Sequence, residues 1–308
     1  TLFDRYMLTA TVRRDGSSRF RDHWSTFPSF AFAWRINEEK FLRDCRNLNM
    51  LKLRLGYGLT GQQDINQDYG YVATYSQNQG AGSNYFPCVD ANGKIMRDAQ
   101  GNIIYMPVSR PGEYNAALKW ETTTTYNAGI DLGLWNNRLS ASIDYYYRVT
   151  TDLINRVSVP AGTNFKNMVT SNIGSMVNQG VELQLNAVAI DTKDWTWDLA
   201  FNATYNRNEI TELIGGDETY MVETGGISAG TGRCVQMHAV GHPMSSFYVY
   251  QQVYDAKGMP IEGVYVDRDG NGIINESDRY FYKSPVAPWT FGFSSKLRYK
   301  QWDLGFGL

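Results

Sequence analysis

Sorted by alternate positions, residues 138–149 separate into two faces. Leu139, Ala141, Ile143, Tyr145, Tyr147 and Val149 fall on one, and Arg138, Ser140, Ser142, Asp144, Tyr146 and Arg148 on the other. A period of two marks a β-strand, whose side chains point alternately to opposite sides. At 195–206 the same sorting sets Trp195, Trp197, Leu199, Phe201, Ala203 and Tyr205 against Thr196, Asp198, Ala200, Asn202, Thr204 and Asn206. At 51–59 it sets Leu51, Leu53, Leu55, Tyr57 and Leu59 against Lys52, Arg54, Gly56 and Gly58. The pattern predicts strands over 3–13, 27–36, 50–60, 119–134, 138–152, 178–190, 195–209 and 288–299, with a ninth from 302. Only NEEKFLRDCRNL (37–48) suggests a helix, and a short one.

A soluble sandwich also has two-faced strands, but they run about 5 to 6 residues. A tilted strand needs about 9 to 11 residues to cross a bilayer, and these strands are that long. Trp34, Trp120, Trp135, Trp195, Trp197, Trp289 and Trp302 all lie at or near strand ends, and all but Trp135 share the apolar parity. Rings at both ends of the strands suit the aromatic girdles of a membrane barrel. The connections are lopsided as well. Asn136-Asn137, 191–194 and Lys300-Gln301 are tight, with 37–49 of middling length, whereas 14–26, 61–118, 153–177 and 210–287 are long. Counting strands up and down puts the tight turns on one side and the long connections on the other. Outer-membrane barrels have short periplasmic turns and long extracellular loops. The expected fold is therefore all-β, part of a transmembrane antiparallel β-barrel, with 210–287 as a long extracellular excursion.

Composition agrees: 21 Tyr, 14 Phe, 8 Trp and 29 Gly with 19% charged residues suit a strand-rich chain. A formal charge of −2 leaves no basic footprint for nucleic acid. No run reaches the roughly 18 to 20 apolar residues of a membrane helix. Cys45, Cys88 and Cys234 form neither a CxxC pair nor a disulfide framework. With three histidines and no GxSxG, HExxH or P-loop, no enzyme is read here. The first residues read directly as a strand and the last stop within one, so both ends are expected to be cuts through a longer protein.

RRDGSSRF (13–20), FPSFAFAWRINEEKF (27–41) and LKLRLGYGLTGQ (51–62) resemble the barrel of SusC/RagA-type TonB-dependent transporters. The resemblance continues through LKWETTTTYNAGIDLGL (118–134), RLSASIDYYYRVTTDLI (138–154) and NIGSMVNQGVELQLN (172–186). It implies an outer-membrane barrel of about 22 strands around a plug, paired with a SusD-like surface lipoprotein. It also implies import of glycan or peptide oligomers in Bacteroidetes, energised by TonB through the plug. The plug, its TonB-contacting segment and the closing strands are expected outside these residues. Two other classes stay open: a passive porin, and a soluble, calcium-stiffened all-β surface adhesin.

In DRDGNGIINESD (267–278), Asp267, Asp269, Asn271, the Ile273 carbonyl and Asp278 stand at positions 1, 3, 5, 7 and 12 of a calcium loop, with Gly272 at the sharp turn. Asp278 replaces the usual bidentate Glu, so the alternative is a polar turn stiffened by glycine. Cys234, His238 and His242 have helical i, i+4, i+8 spacing, but Gly241 and Pro243 argue against a helix and no fourth zinc ligand is evident. Tyr85, Phe86, Tyr105 and Tyr114 are candidates to stack on sugars, or to pack among themselves. The polar parity, with Arg5, Arg54, Asp131, Arg138, Asp144, Arg148, Asp198, Arg298 and Asp303, is expected to face the lumen, and the apolar parity to face lipid.

Overall fold

The computed structural model describes residues 1–65, 68–77, 86–106, 109–214, 216–227 and 234–308. One nine-stranded antiparallel sheet dominates it, each strand paired with its neighbour in sequence. We label its strands β1 (Tyr6–Gly16), β2 (Trp24–Arg35), β3 (Leu48–Gln62), β4 (Glu121–Leu134), β5 (Leu139–Thr151), β6 (Ser175–Asp191), β7 (Trp195–Glu212), β8 (Trp289–Tyr299) and β9 (Trp302–Gly307). All nine expected strands form, and their ends lie within three residues of the positions the alternation predicts.

Register keeps the two parities continuous from strand to strand. One row runs Leu53, Ile130, Ile143, Leu183, Ala203 and Phe291 across β3 to β8; the row beside it runs Arg54, Gly129, Asp144, Glu182, Thr204 and Thr290. The apolar face has no layer packed over most of it: Leu8 is 73%, Ile143 49% and Phe291 61% exposed, with Leu139, Phe201 and Phe293 half-buried. In water such a face would be a liability. Against lipid it is what a barrel wall requires.

The tight turn between β4 and β5 is wider than the expected two residues. Trp135, Asn136 and Asn137 all take positive φ (53°, 55° and 61°). Asn tolerates that region through its short polar side chain, whereas a bulky Trp rarely adopts it. The turn is clamped from β3 and the chain before it: Trp135 N–H donates to the Asn47 carbonyl at 2.9 Å, and Asn136 N–H to Asn49 Oδ1 at 2.6 Å.

Two expectations fail. The segment 37–48 forms only a 3₁₀ turn over Ile36–Glu38, followed by turns. Its polar groups reach the strand ends, with Asn37 Nδ2 also donating to Glu38 at 3.1 Å. Asn37 Oδ1 accepts from Leu51 N–H at 3.2 Å, while Glu39 accepts from the Tyr6 hydroxyl at 2.6 Å and the Trp34 indole at 3.1 Å. Trp120 is not a girdle residue. It is 6% exposed and joins Phe20, Phe27, Ile65 and Leu118 in the main core, formed at the long-connection end of the sheet. Phe20 and Trp120 ring centroids lie 5.2 Å apart, so the β1–β2 connection folds over the start of β4.

The long connections carry small sheets of their own. Ile154–Ser158 pairs with Met168–Asn172, Gln252–Tyr254 with Pro260–Tyr265, and Met221–Gly226, Cys234–Ala239, Ser246–Tyr250 and Arg279–Phe281 form a four-stranded sheet. Sequence periodicity did not reveal them, because runs of 3 to 6 residues are too short for a period to register.

Candidate functional site

The polar face of β3, β4 and β5 holds an ionic cluster. Arg54 grips Asp131 with Nε at 2.9 Å and Nη2 at 2.8 Å, and reaches Asp144 with Nη1 at 2.8 Å. Ser142 Oγ donates within the same group, at 2.9 Å from Asp144 and 3.1 Å from Asp131. A planar guanidinium matches two carboxylates in fixed directions, which a lysine would not. Gly129 makes room for it: a Cβ there would lie 2.8 Å from Arg54 Nη2. Three expected lumen residues therefore meet in one network. The others lie apart: Arg5 pairs with Glu39 at 3.2 Å, Arg148 sits 5.0 Å over the Tyr146 ring, and Arg298 donates to Thr196 Oγ1 at 3.3 Å.

On the opposite side of the girdle the excursions tie to one another. Asn115 Nδ2 donates to the Thr170 carbonyl at 3.1 Å, Asn164 Nδ2 to the Tyr114 carbonyl at 2.7 Å, and Arg156 pairs with Glu113 at 2.7 Å. Within the longest excursion, the loop 267–278 is wound tightly. Asp267 accepts from Gly270 N–H at 2.7 Å and Gly272 N–H at 2.6 Å, and Asn271 Oδ1 from Ile273 N–H at 2.7 Å. Gly270 and Gly272 take φ of 73° and 82°, the region that favours glycine. Asp278 is fully buried and accepts from Asn275 N–H at 2.8 Å and Arg268 N–H at 2.7 Å. These backbone bonds, that from Asn275 foremost, hold its carboxyl below the usual range. Carboxylate oxygens of Asp267, Asp269 and Asp278 lie within 4.8 Å of one another, and they are the only such acidic, His or Cys cluster among the described residues.

Cys234, His238 and His242 do not form a helical face. Cys234–Ala239 is a strand, His238 Nδ1 accepts from Ser245 N–H at 3.1 Å, and His242 stacks on Phe281 at 3.8 Å. Burial pushes the His238 imidazole below its ordinary value. Of the aromatic candidates, Tyr85 lies outside the described residues. Phe86 and Tyr105 belong to one short pairing but stand opposite Met106 and Pro87, one position apart, so alternation puts them on opposite sides. Tyr114 joins a ring cluster that sequence reading missed: Phe165 lies 5.7 Å from Tyr114 and 5.8 Å from Tyr75. Nothing in the local pattern of Tyr75 or Phe165 marks them, since they come from two different excursions.

Long strands with one apolar and one polar face, aromatic ends, tight turns on one side and cross-linked excursions on the other define the wall of a membrane β-barrel. The chain belongs to the TonB dependent receptor-like β-barrel family, whose model matches residues 1–308. It is 49% identical to the TonB-dependent receptor SusC of Bacteroides thetaiotaomicron over all of this chain and 30% of that protein. It is 33% identical to the TonB-dependent receptor P3 of Formosa agariphila over 97% of this chain and 29% of that protein. Among solved structures, that of the RagAB peptide transporter superposes with a TM-score of 0.76 at 27% identity, covering 98% of this chain and 31% of the matched one. The chain thus spans about 30% of the length of the relatives it matches. These relatives are receptors and transporters, and the chain is part of a receptor-type barrel.

Proposed function

We propose that this chain is wall and extracellular excursions of an outer-membrane importer that takes up glycan or peptide oligomers, energised through TonB and closed from outside by a SusD-like surface lipoprotein. The observation that carries the reading is the sidedness of the sheet: tight turns at one end and mutually bonded, partly apolar excursions at the other. Such excursions exceed what strand connection needs, and loops above about 12 to 15 residues are usually functional or disordered. On the segment 86–106, Phe86, Val89, Ile95 and Met106 are exposed, a surface suited to a protein partner. Family membership and the likeness to SusC and RagAB support the same reading.

The test uses the full-length receptor in its own outer membrane. Deleting residues 86–106 is expected to lower recovery of the lipoprotein with the tagged receptor while the barrel still folds. Removing TonB is expected to abolish uptake of the oligomer, whereas a passive porin would keep it. A receptor chain released into buffer without detergent would instead point to an adhesin.

Calcium in the loop 267–278 is part of the proposal. Asp267, Asp269, Asn271, the Ile273 carbonyl and Asp278 would supply oxygens, and a cation would relieve the repulsion between clustered carboxylates. Asp278 is shorter than the usual Glu, which favours the weak extracellular range of about 10⁻⁴ to 10⁻³ M. Asp267→Asn with Asp269→Asn is expected to make the loop protease-sensitive in the folded receptor. Equal resistance of the unsubstituted loop with and without a chelator would remove calcium from the account.

A further inference from the structure

We propose that the connection between β2 and β3 is a foot that binds the headgroups of anionic phospholipids in the periplasmic leaflet of the membrane. The proposal rests on the barrel wall, and on neither the substrate, TonB nor the lipoprotein of the import reading.

This connection is the longest on the tight-turn side of the sheet, and its start is fastened to the outside of the wall. Tyr6 of β1 stands opposite Trp34 of β2, and Trp34 opposite Leu53 of β3, in the row that runs on through Ile130 and Ile143 of the apolar face. The Tyr6 and Trp34 rings stack with centroids 6.2 Å apart. The Glu39 carboxylate accepts from both of these lipid-facing side chains, and from Arg5 Nη1 at 3.2 Å. A carboxylate bound to two rings of the lipid face draws the chain that follows it over the outside of the wall and away from the lumen. The Glu39 carbonyl accepts from Leu42 N–H and Arg43 N–H, both at 2.9 Å, so residues 40–43 turn directly on that anchor.

What the turn presents there is the chemistry of an interfacial anchor. Phe41 is 72% exposed. Lys40, Arg43 and Arg46 are exposed, and none of them makes an ion pair among the described residues. Asp44 is the one acid left among them, because Glu38 is engaged by Arg35 and Glu39 by Arg5. The other turns on this side lack the combination: Asn136-Asn137 is uncharged, 191–194 reads Asp-Thr-Lys-Asp, and Lys300-Gln301 carries a single cation. Aromatic rings settle at the level of the headgroups, and Lys and Arg lay their stems along apolar surface while their charged ends reach phosphate. A zwitterionic headgroup has no net charge to attract an excess of cations, so the foot favours an anionic lipid.

The test uses the full-length receptor in nanodiscs, which leave both membrane faces open to solvent, with its native cysteines changed to Ser. A bimane label is attached at Phe41→Cys or, as the extracellular control, at Lys257→Cys. The label at position 41 is expected to be quenched by brominated phosphatidylglycerol and shielded from iodide, and the label at position 257 to behave in the opposite way. Quenching at position 41 by iodide alone overturns the proposal, and so does quenching by neither, which would mark a protein contact. Native mass spectrometry of the receptor then measures retained phosphatidylglycerol against phosphatidylcholine. Lys40→Gln with Arg43→Gln and Arg46→Gln is expected to lower the retained anionic lipid by about threefold or more. Lys94→Gln with Lys166→Gln and Lys257→Gln makes the same change of charge on the extracellular excursions and should leave retention as it was. Equal retention by the two triple variants also overturns the assignment. Neither readout involves transport, so a failure of TonB-driven import would count only against the import reading.

Discussion

Ile143→Arg tests whether the apolar parity faces lipid. Ile143 lies mid-row between Ile130 of β4 and Leu183 of β6 and is 49% exposed in the chain. It stands four residues above Leu139, the first residue of β5. At about 3.3 Å per residue and a tilt of about 40°, that is about 10 Å up the wall. An apolar band about 25 Å tall has its midplane near that height, where an outward Arg costs about 2–4 kcal/mol. The folding equilibrium should drop by roughly 30- to 700-fold, since about 1.4 kcal/mol is tenfold. Gln184→Arg is the matched control: Gln184 pairs with Ser142, one residue away, and points to the polar face. Full-length receptor folded into vesicles across a urea series, read by heat-modifiable mobility on gels, measures both. Ile143→Arg should shift the midpoint strongly and Gln184→Arg little. Equal midpoints for the two variants would refute the lipid-facing assignment and, with it, the reading of the exposed apolar rows as a membrane surface.

Arg54→Met should cost about 1.5–3 kcal/mol, because it strands the Asp131 and Asp144 carboxylates it holds at 2.8 Å. A double-mutant cycle with Asp144→Asn should recover part of that loss, and strict additivity would show that the two do not interact. His238 titrates below its ordinary value of about 6.5 because of burial. Its folded pKa lies below the unfolded one, so its contribution to stability is complete above about pH 6.5 and fades as pH falls through the folded pKa. Hydrogen-exchange protection of Ser245 N–H, which donates to His238 Nδ1, should fall over that acid range and stay flat in His238→Gln. A pH-independent protection factor in the unsubstituted receptor would exclude the coupling.

The strands, the two faces and the sidedness were determined by sequence alone, because each rests on local order. A strand alternates its side chains, lipid demands a uniformly apolar face, and turn length is counted along the chain. The same holds for the spacing of 267–278, whose turn glycines and aspartates lie within one short loop. Contacts between distant residues were decided only by tertiary structure. Arg54 meets Asp131 and Asp144 across 77 and 90 residues, through a register no single strand encodes. Trp120 obeys the girdle parity, yet Phe20 and Leu118 fold over it and bury it away from lipid. The segment 37–48 has a helical composition, but Asn37 and Glu39 hydrogen-bond to Leu51 and Tyr6 on neighbouring strands, partners that the segment's own pattern does not show.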